Sequence, residues 1–268
     1  MKKKVSKERI SDLWGLVRRI LPLQTTSRGK GMLRENWLEK LDSNHRHRNY
    51  LNKEFLEWEK SNNEIGNFFN WLNKKEFSID KKALQEKIKY VSELEKKDYK
   101  VSFNKITGKA YQNGKLFDTM NFPDIKSTLT GFAIFVIDLK KNFLAGQKVR
   151  SHFQHSSFTK GNRIKASGIV KFKEGRMISL MQYSGHYHPE ENEFKRTLEN
   201  IPDICLDNVQ IATYRFEKRP YILKILKKRL KNSKIKVKVF YLNNEESEII
   251  EVTNSNIKNI SKSMSLDF

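Results

Sequence analysis

The run from Arg150 to Phe194, RSHFQHSSFTKGNRIKASGIVKFKEGRMISLMQYSGHYHPEENEF, reads as a β-hairpin with polar groups gathered at its two outer ends. Apolar residues recur at Ile164, Ala166, then Ile169, Val170 and Phe172, with the phase shifting near Gly168, and a second apolar run spans Met177 to Tyr183. Between them Glu174-Gly175 is a hairpin turn signal, because Gly takes positive φ at no steric cost. Closing the hairpin brings His155-Ser156-Ser157 beside Ser184-Gly185-His186-Tyr187. Beyond it Pro189 suits the first turn of a helix over 190–198, with acids where the macrodipole favours them and Phe194, Leu198 and Ile201 as its buried stripe. That layout makes His186 and Glu190 face each other across a strand-to-helix junction, and a carboxylate beside an imidazole orients it as a general base. The same residues also serve as ordinary turn and capping chemistry.

The chain has 268 residues and a formal net charge of +22, so its expected partners are acidic: nucleotide phosphates, an acidic protein, an anionic membrane surface or nucleic acid. Cys205 is the only cysteine, which excludes an intramolecular disulfide and a Cys-based zinc site and points to a reducing compartment. The basic N-terminus lacks the uninterrupted apolar core of a signal peptide, and no apolar run is long enough to span a bilayer.

Residues 1–34 form a basic amphipathic segment, with Ile10, Leu13, Trp14, Val17, Ile20 and Leu21 on one stripe. Such a stripe suits docking on its own domain, an anionic membrane, or the groove of an acidic helix-binding protein such as calmodulin. Residues 35–242 read as one α+β domain of catalytic type. Its helical part, 35–100, includes an aromatic-rich stretch to Trp71, a basic knot His45-Arg46-His47-Arg48 suited to phosphate or an acidic partner, and a helix from Asp80 to Lys100. Its β-rich core, 101–216, contains the fully apolar strand Phe132 to Ile137, of the kind buried on both faces. Its last part, 217–242, is a basic amphipathic helix over Tyr221 to Leu230 and a strand over Ile235 to Leu242. Residues 243–268 are acidic and then Ser/Asn-rich, a tail of the kind used as a secretion signal. The predicted fold is thus an N-terminal helical layer packed on a central antiparallel β-meander, followed by a basic helix and strand.

WLEKLDSNHRHR at 37–48, FFNWL at 68–72, LQEKIKY at 84–90, IFVIDLKKNFLAGQ at 134–147, FQHSSFTKG at 153–161, SGHYHPEENEF at 184–194 and LDNV at 206–209 together resemble the plant and fungal IQ-motif calmodulin-binding (IQM) family, in matching order and spacing. The motif that names that family is half present, as Leu23 to Gly29, with the closing basic residue Arg34 one place late. The FQHSSF and SGHY blocks are also similar to bacterial effectors with an S-HxxxE signature, which maps onto Ser156 or Ser157, His186 and Glu190. That second resemblance implies a secreted effector that enters a host cell and transfers AMP from ATP to a protein or phosphoryl acceptor, activated by a host protein such as actin or calmodulin. On this reading His186 aligned by Glu190 is the base or transition-state stabiliser and Ser156 or Ser157 meets the nucleotide. His155, Ser184 and Tyr187 complete the binding site, Tyr187 either stacking on adenine or filling the core. Lys160, Arg163 and Lys165 are the candidate phosphate ligands, and Mg2+ is an expected companion of ATP although no carboxylate set stands out to hold it. The IQM resemblance itself implies a non-enzymatic calmodulin-binding protein. A metal-independent ribonuclease toxin is the third reading, from paired histidines, a lysine and a basic surface.

Overall fold

The computed structural model describes residues 25–26, 29–33, 36–60, 68–77, 87–125, 129–213, 225–226, 237–242 and 247–253. The sequence reading of the segment 5–21 and of the tail beyond 253 lies outside these residues, as does most of the 221–230 helix, of which Ile225 and Leu226 are helical and Leu226 is buried.

The strand predicted to be buried on both faces is β6, Ala133–Ile137, near the middle of a ten-stranded sheet. Its side chains alternate between two cores: Ala133, Phe135 and Ile137 enter one, Ile134 and Val136 the other. A strand covered on both faces has no wet side, so no position needs to be polar. It pairs antiparallel with β7, Phe143–Gly146, and with β8, Ala166–Lys173, the first strand of the predicted hairpin. The partner of β8 is β9, Arg176–Met181, and the turn between them has Glu174 at φ 50° and Gly175 at φ 77°, the left-handed pair that a tight hairpin turn requires.

On the far side of β7 lie β3 (Lys100–Phe103), β4 (Ala110–Gln112) and β5 (Lys115–Leu116), all antiparallel. At the other end the antiparallel expectation fails. Strand β10, Val209–Thr213, runs parallel to β9 and to β11, Val237–Leu242, so the sheet is mixed. The reason is the helix between β9 and β10: a long crossover returns the chain to the same end of the sheet, which produces a parallel neighbour. The sheet also continues past residue 242. Strand β12, Ser247–Val252, pairs antiparallel with β11, and Val252 is fully buried, so part of the expected tail is an edge strand.

Five helices are described: α1 (Trp37–Leu41), α2 (Arg48–Lys60), α3 (Phe68–Phe77), α4 (Lys96–Tyr99) and α5 (Glu191–Glu199). Helix α5 buries Phe194 and Leu198 against one face of the sheet, with Ile201 just beyond its end, and each such side chain contributes about 2 kcal/mol. The opposite face is covered by Met32, Trp37, Phe158 and Tyr187. Helices α2 and α3 hold a small separate core in which Leu51, Phe68 and Leu72 pack with Phe55, Trp58 and Trp71. The helix expected from Asp80 to Lys100 is replaced, over its described part, by extended chain and turns that end in the short α4. Lys89 and Val91 give their N–H groups to the carbonyls of His152 and Ser157 at 2.8 and 2.9 Å, so pairing with a distant loop outweighs local helical spacing. Leu94, on the expected apolar stripe, is 82% exposed.

Candidate functional site

Just before β8 the chain makes a 3-10 turn, His155–Thr159, in which every residue is buried. The turn is held from within: the Ser157 hydroxyl accepts the Gln154 N–H at 3.0 Å, and Lys160 closes it in the left-handed conformation. It is also held from outside by α1, where Lys40 Nζ donates to Asn162 Oδ1 at 3.0 Å and Glu39, fully buried, reaches into it. Glu39 Oε1 accepts from Gln154 Nε2 at 2.7 Å and from the Ser156 hydroxyl at 3.1 Å. Its other oxygen, Oε2, lies 3.6 Å from His186 Nε2, and neither atom has a hydrogen-bond partner.

Closure of the hairpin brings the 155–157 and 184–187 clusters together, and the Thr159 and Tyr187 hydroxyls lie 3.2 Å apart. The pairing within the cluster differs from the sequence expectation. His186 lies against Glu39, 147 positions earlier in numbering, whereas Glu190 is 63% exposed at the N-cap of α5 and pairs with the buried Lys30 at 3.0 Å. The backbone causes this: the Glu190 N–H donates to Glu193 Oε2 at 3.0 Å in a capping box, so the Glu190 side chain turns to the helix end, where the 29–30 segment brings Lys30. Of the two candidate serines, Ser156 faces Glu39 and Ser157 caps the turn. Ser184 is buried and accepts the Tyr187 N–H at 3.4 Å. Tyr187 fills the core, its phenol donating to the Asn162 carbonyl at 2.9 Å, and burial raises its pKa.

His155 is enclosed behind the turn, with Nε2 donating to the Gly168 carbonyl at 2.8 Å. Burial, opposed by that bond and helped by the neighbouring His186, lowers its pKa to about 3, so its ring is neutral. Gly168 is required here because a Cβ would come within 2.4 Å of the Met181 carbonyl oxygen and 2.7 Å of the Phe135 ring.

His155 and His186 form part of the wall of a cleft of about 660 Å³. The rest of its basic lining comes from elsewhere: His47 and Arg48 at the start of α2, and Lys148, Arg150 and His152 on the loop after β7. The basic knot thus divides, with His45 lying edge-on to the Tyr90 ring, Arg46 buried in a bidentate pair with Asp42 at 2.7 and 2.8 Å, and only His47 and Arg48 reaching the cleft. The expected phosphate ligands Lys160, Arg163 and Lys165 do not line it; Arg163 borders a second cavity of about 410 Å³ shared with Glu93 and Asp138.

Glu39, Gln154, Lys148 and Arg150 are the site residues that sequence reasoning missed. Glu39 carried one signal: it is an acid inside an apolar helical stripe of Trp37, Leu38 and Leu41, and charged residues are almost never fully buried unless paired. Among the described residues, no group of three or more His, Cys, Asp or Glu is arranged to hold a metal ion, and no helix is long and apolar enough to cross a membrane.

Comparison with known proteins gives a consistent answer. Three Arabidopsis thaliana relatives are the IQ domain-containing proteins IQM4 (30% identical over 184 residues, 66% of this chain and 33% of the relative), IQM5 (31% over 183 residues, 62% and 35%) and IQM3 (30% over 189 residues, 66% and 40%). The chain therefore spans about a third of the length of the curated relatives it matches. No solved structure gives a significant match. These plant relatives overturn the reading as a secreted bacterial effector or toxin that transfers AMP inside a host cell, and with it the secretion role of the tail. The family model that matches residues 95–194, the IQ motif-containing protein middle domain, takes in the 155–159 turn, the hairpin and the start of α5, so it is this part of the chain that is similar to that domain.

Proposed function

We propose that this chain is a calmodulin-binding protein in which the middle domain is the folded anchor for a basic, helix-forming arm. The observation that carries this reading is the middle-domain match, together with relatives named as IQ domain-containing proteins. The charge agrees, since a chain of net charge +22 attracts an acidic groove at long range, and the apolar stripe of the 5–21 segment is of the kind that lies in such a groove. The half-complete IQ-like stretch is a poorer docking element. Thr25–Thr26 and Gly29–Lys30 pair as a short antiparallel ladder, and Lys30 exchanges backbone hydrogen bonds with Ile164 at 2.7 and 3.0 Å. Residues paired in such a ladder are not helical. The contact is therefore assigned to residues 5–21.

Calorimetric titration of calcium-loaded and calcium-free calmodulin into the full chain, and into the chain lacking residues 1–22, tests this. Saturable one-to-one binding that requires residues 1–22 is expected. Absence of binding in both calcium states would overturn the function, and undiminished binding without residues 1–22 would overturn the assignment to that arm.

A further inference from the structure

The cleft above His186 has a composition that calmodulin binding does not explain. Three fixed cations line it, Arg48, Lys148 and Arg150, and no carboxylate does; the nearest acid named in the site, Glu39, lies fully buried behind His186. Like charges gathered in one concavity raise its positive potential, so the arrangement is stabilised when an anion fills it. The imidazoles that share the lining add donors. His47 is anchored in the lining by Asn49, whose N–H donates to its Nδ1 at 3.3 Å. At the floor the buried His186 lines the cleft, with its Nε2 3.6 Å from the Glu39 Oε2 behind it.

Size selects the class of ligand. A cleft of about 660 Å³ falls within the range of small-molecule sites, roughly 300–1,000 Å³, and below what a folded partner or a nucleic-acid duplex requires. Its apolar share comes from Ile125 and Tyr183, each half-buried against the core below, which gives an organic body a surface to lie on. Guanidinium groups favour phosphate because their paired N–H donors match two phosphate oxygens.

We infer that this cleft binds a small phosphorylated ligand, its phosphate among Arg48, Lys148 and Arg150 with the His186 ring in the wall beneath. The recognised chemistry is the phosphate dianion, whether free or as the end of a nucleotide. Calorimetry on the full chain at fixed ionic strength, with inorganic phosphate, ATP with and without Mg2+, adenosine and chloride as separate titrants, tests it. Saturable binding of phosphate or ATP, with none of adenosine or chloride, is expected; tighter ATP than phosphate identifies the nucleotide as the source, and equal affinity identifies free phosphate. Arg150 is exposed at the rim, so Arg150→Ala leaves the fold intact and should weaken binding at least tenfold, as should Lys148→Ala. Lys115→Ala, on the exposed edge strand β5, should leave affinity unchanged. Equal weakening by Lys115→Ala would reduce the effect to the general charge of the chain and overturn the site, as would the absence of saturable binding by either phosphate or ATP.

Discussion

His155 makes the acid stability of this fold predictable from one side chain. Its ring is enclosed, donates to the Gly168 carbonyl and has a folded-state pKa lowered to about 3. In the unfolded chain a histidine titrates near 6.5. Between these two values the unfolded state binds a proton that the folded state refuses, so stability falls as pH falls through that window, by about 1.4 kcal/mol per pH unit once well below the upper value. From pH 7.5 to pH 5.0 this single group removes about 2 kcal/mol. His155→Asn keeps an N–H donor in the turn and deletes the titration. Urea unfolding of both proteins at the two pH values isolates the effect, because the other titrating groups are common to both. The variant should start less stable at pH 7.5 but lose about 2 kcal/mol less than the parent on acidification. Equal losses would mean that His155 accepts a proton in the folded state, and the enclosed neutral ring would be refuted.

Two further substitutions test the scaffold around the site. Asp42→Ala leaves the Arg46 guanidinium, 1% exposed, without its bidentate carboxylate, and should cost about 3–5 kcal/mol in urea unfolding. Gly168→Ala sets a methyl group against the Met181 carbonyl oxygen and the Phe135 ring, where backbone has to move; a loss of about 2–3 kcal/mol is expected, and a thermal midpoint within a degree of the parent would show that β8 and β9 can spread apart freely.

The elements that sequence made legible are those whose pattern is local. The 166–181 hairpin follows from alternation around a Glu-Gly turn, β6 from an unbroken apolar run, and α5 from Phe194, Leu198 and Ile201 at helical spacing behind a proline. The parallel placement of β10 was written in the order strand, helix, strand, but strand propensity carries no direction, and a meander was the simpler reading of the same pattern. The stretch 247–252 hid an edge strand because Glu248 and Glu251, following Glu245 and Glu246, read as an acidic tail, while Ile249, Ile250 and Val252 supply the β-formers. The 87–95 segment misled in the other direction, since a helical spacing of Ile88, Val91 and Leu94 was offset by hydrogen bonds to residues 152 and 157.

At the site, nearness in sequence was a poor guide to nearness in space. His186 and Glu190 are four apart and separate at the capping box of α5, whereas Glu39 reaches His186 and Ser156 through the packing of α1 on the 155–159 turn. Nothing local to residues 184–194 encodes that contact. The proposed calmodulin recognition has the opposite character, since it is assigned to a basic segment whose composition is visible before any fold is known.

The pairing of His186 with Glu39, on which this account of the site depends, is tested most directly by two double-mutant cycles in urea unfolding, one joining His186→Gln to Glu39→Gln and the other joining it to Glu190→Gln. A coupling of about 1–3 kcal/mol with Glu39, and one within about 0.5 kcal/mol of zero with Glu190, is the predicted result. Strong coupling to Glu190 with none to Glu39 would contradict it.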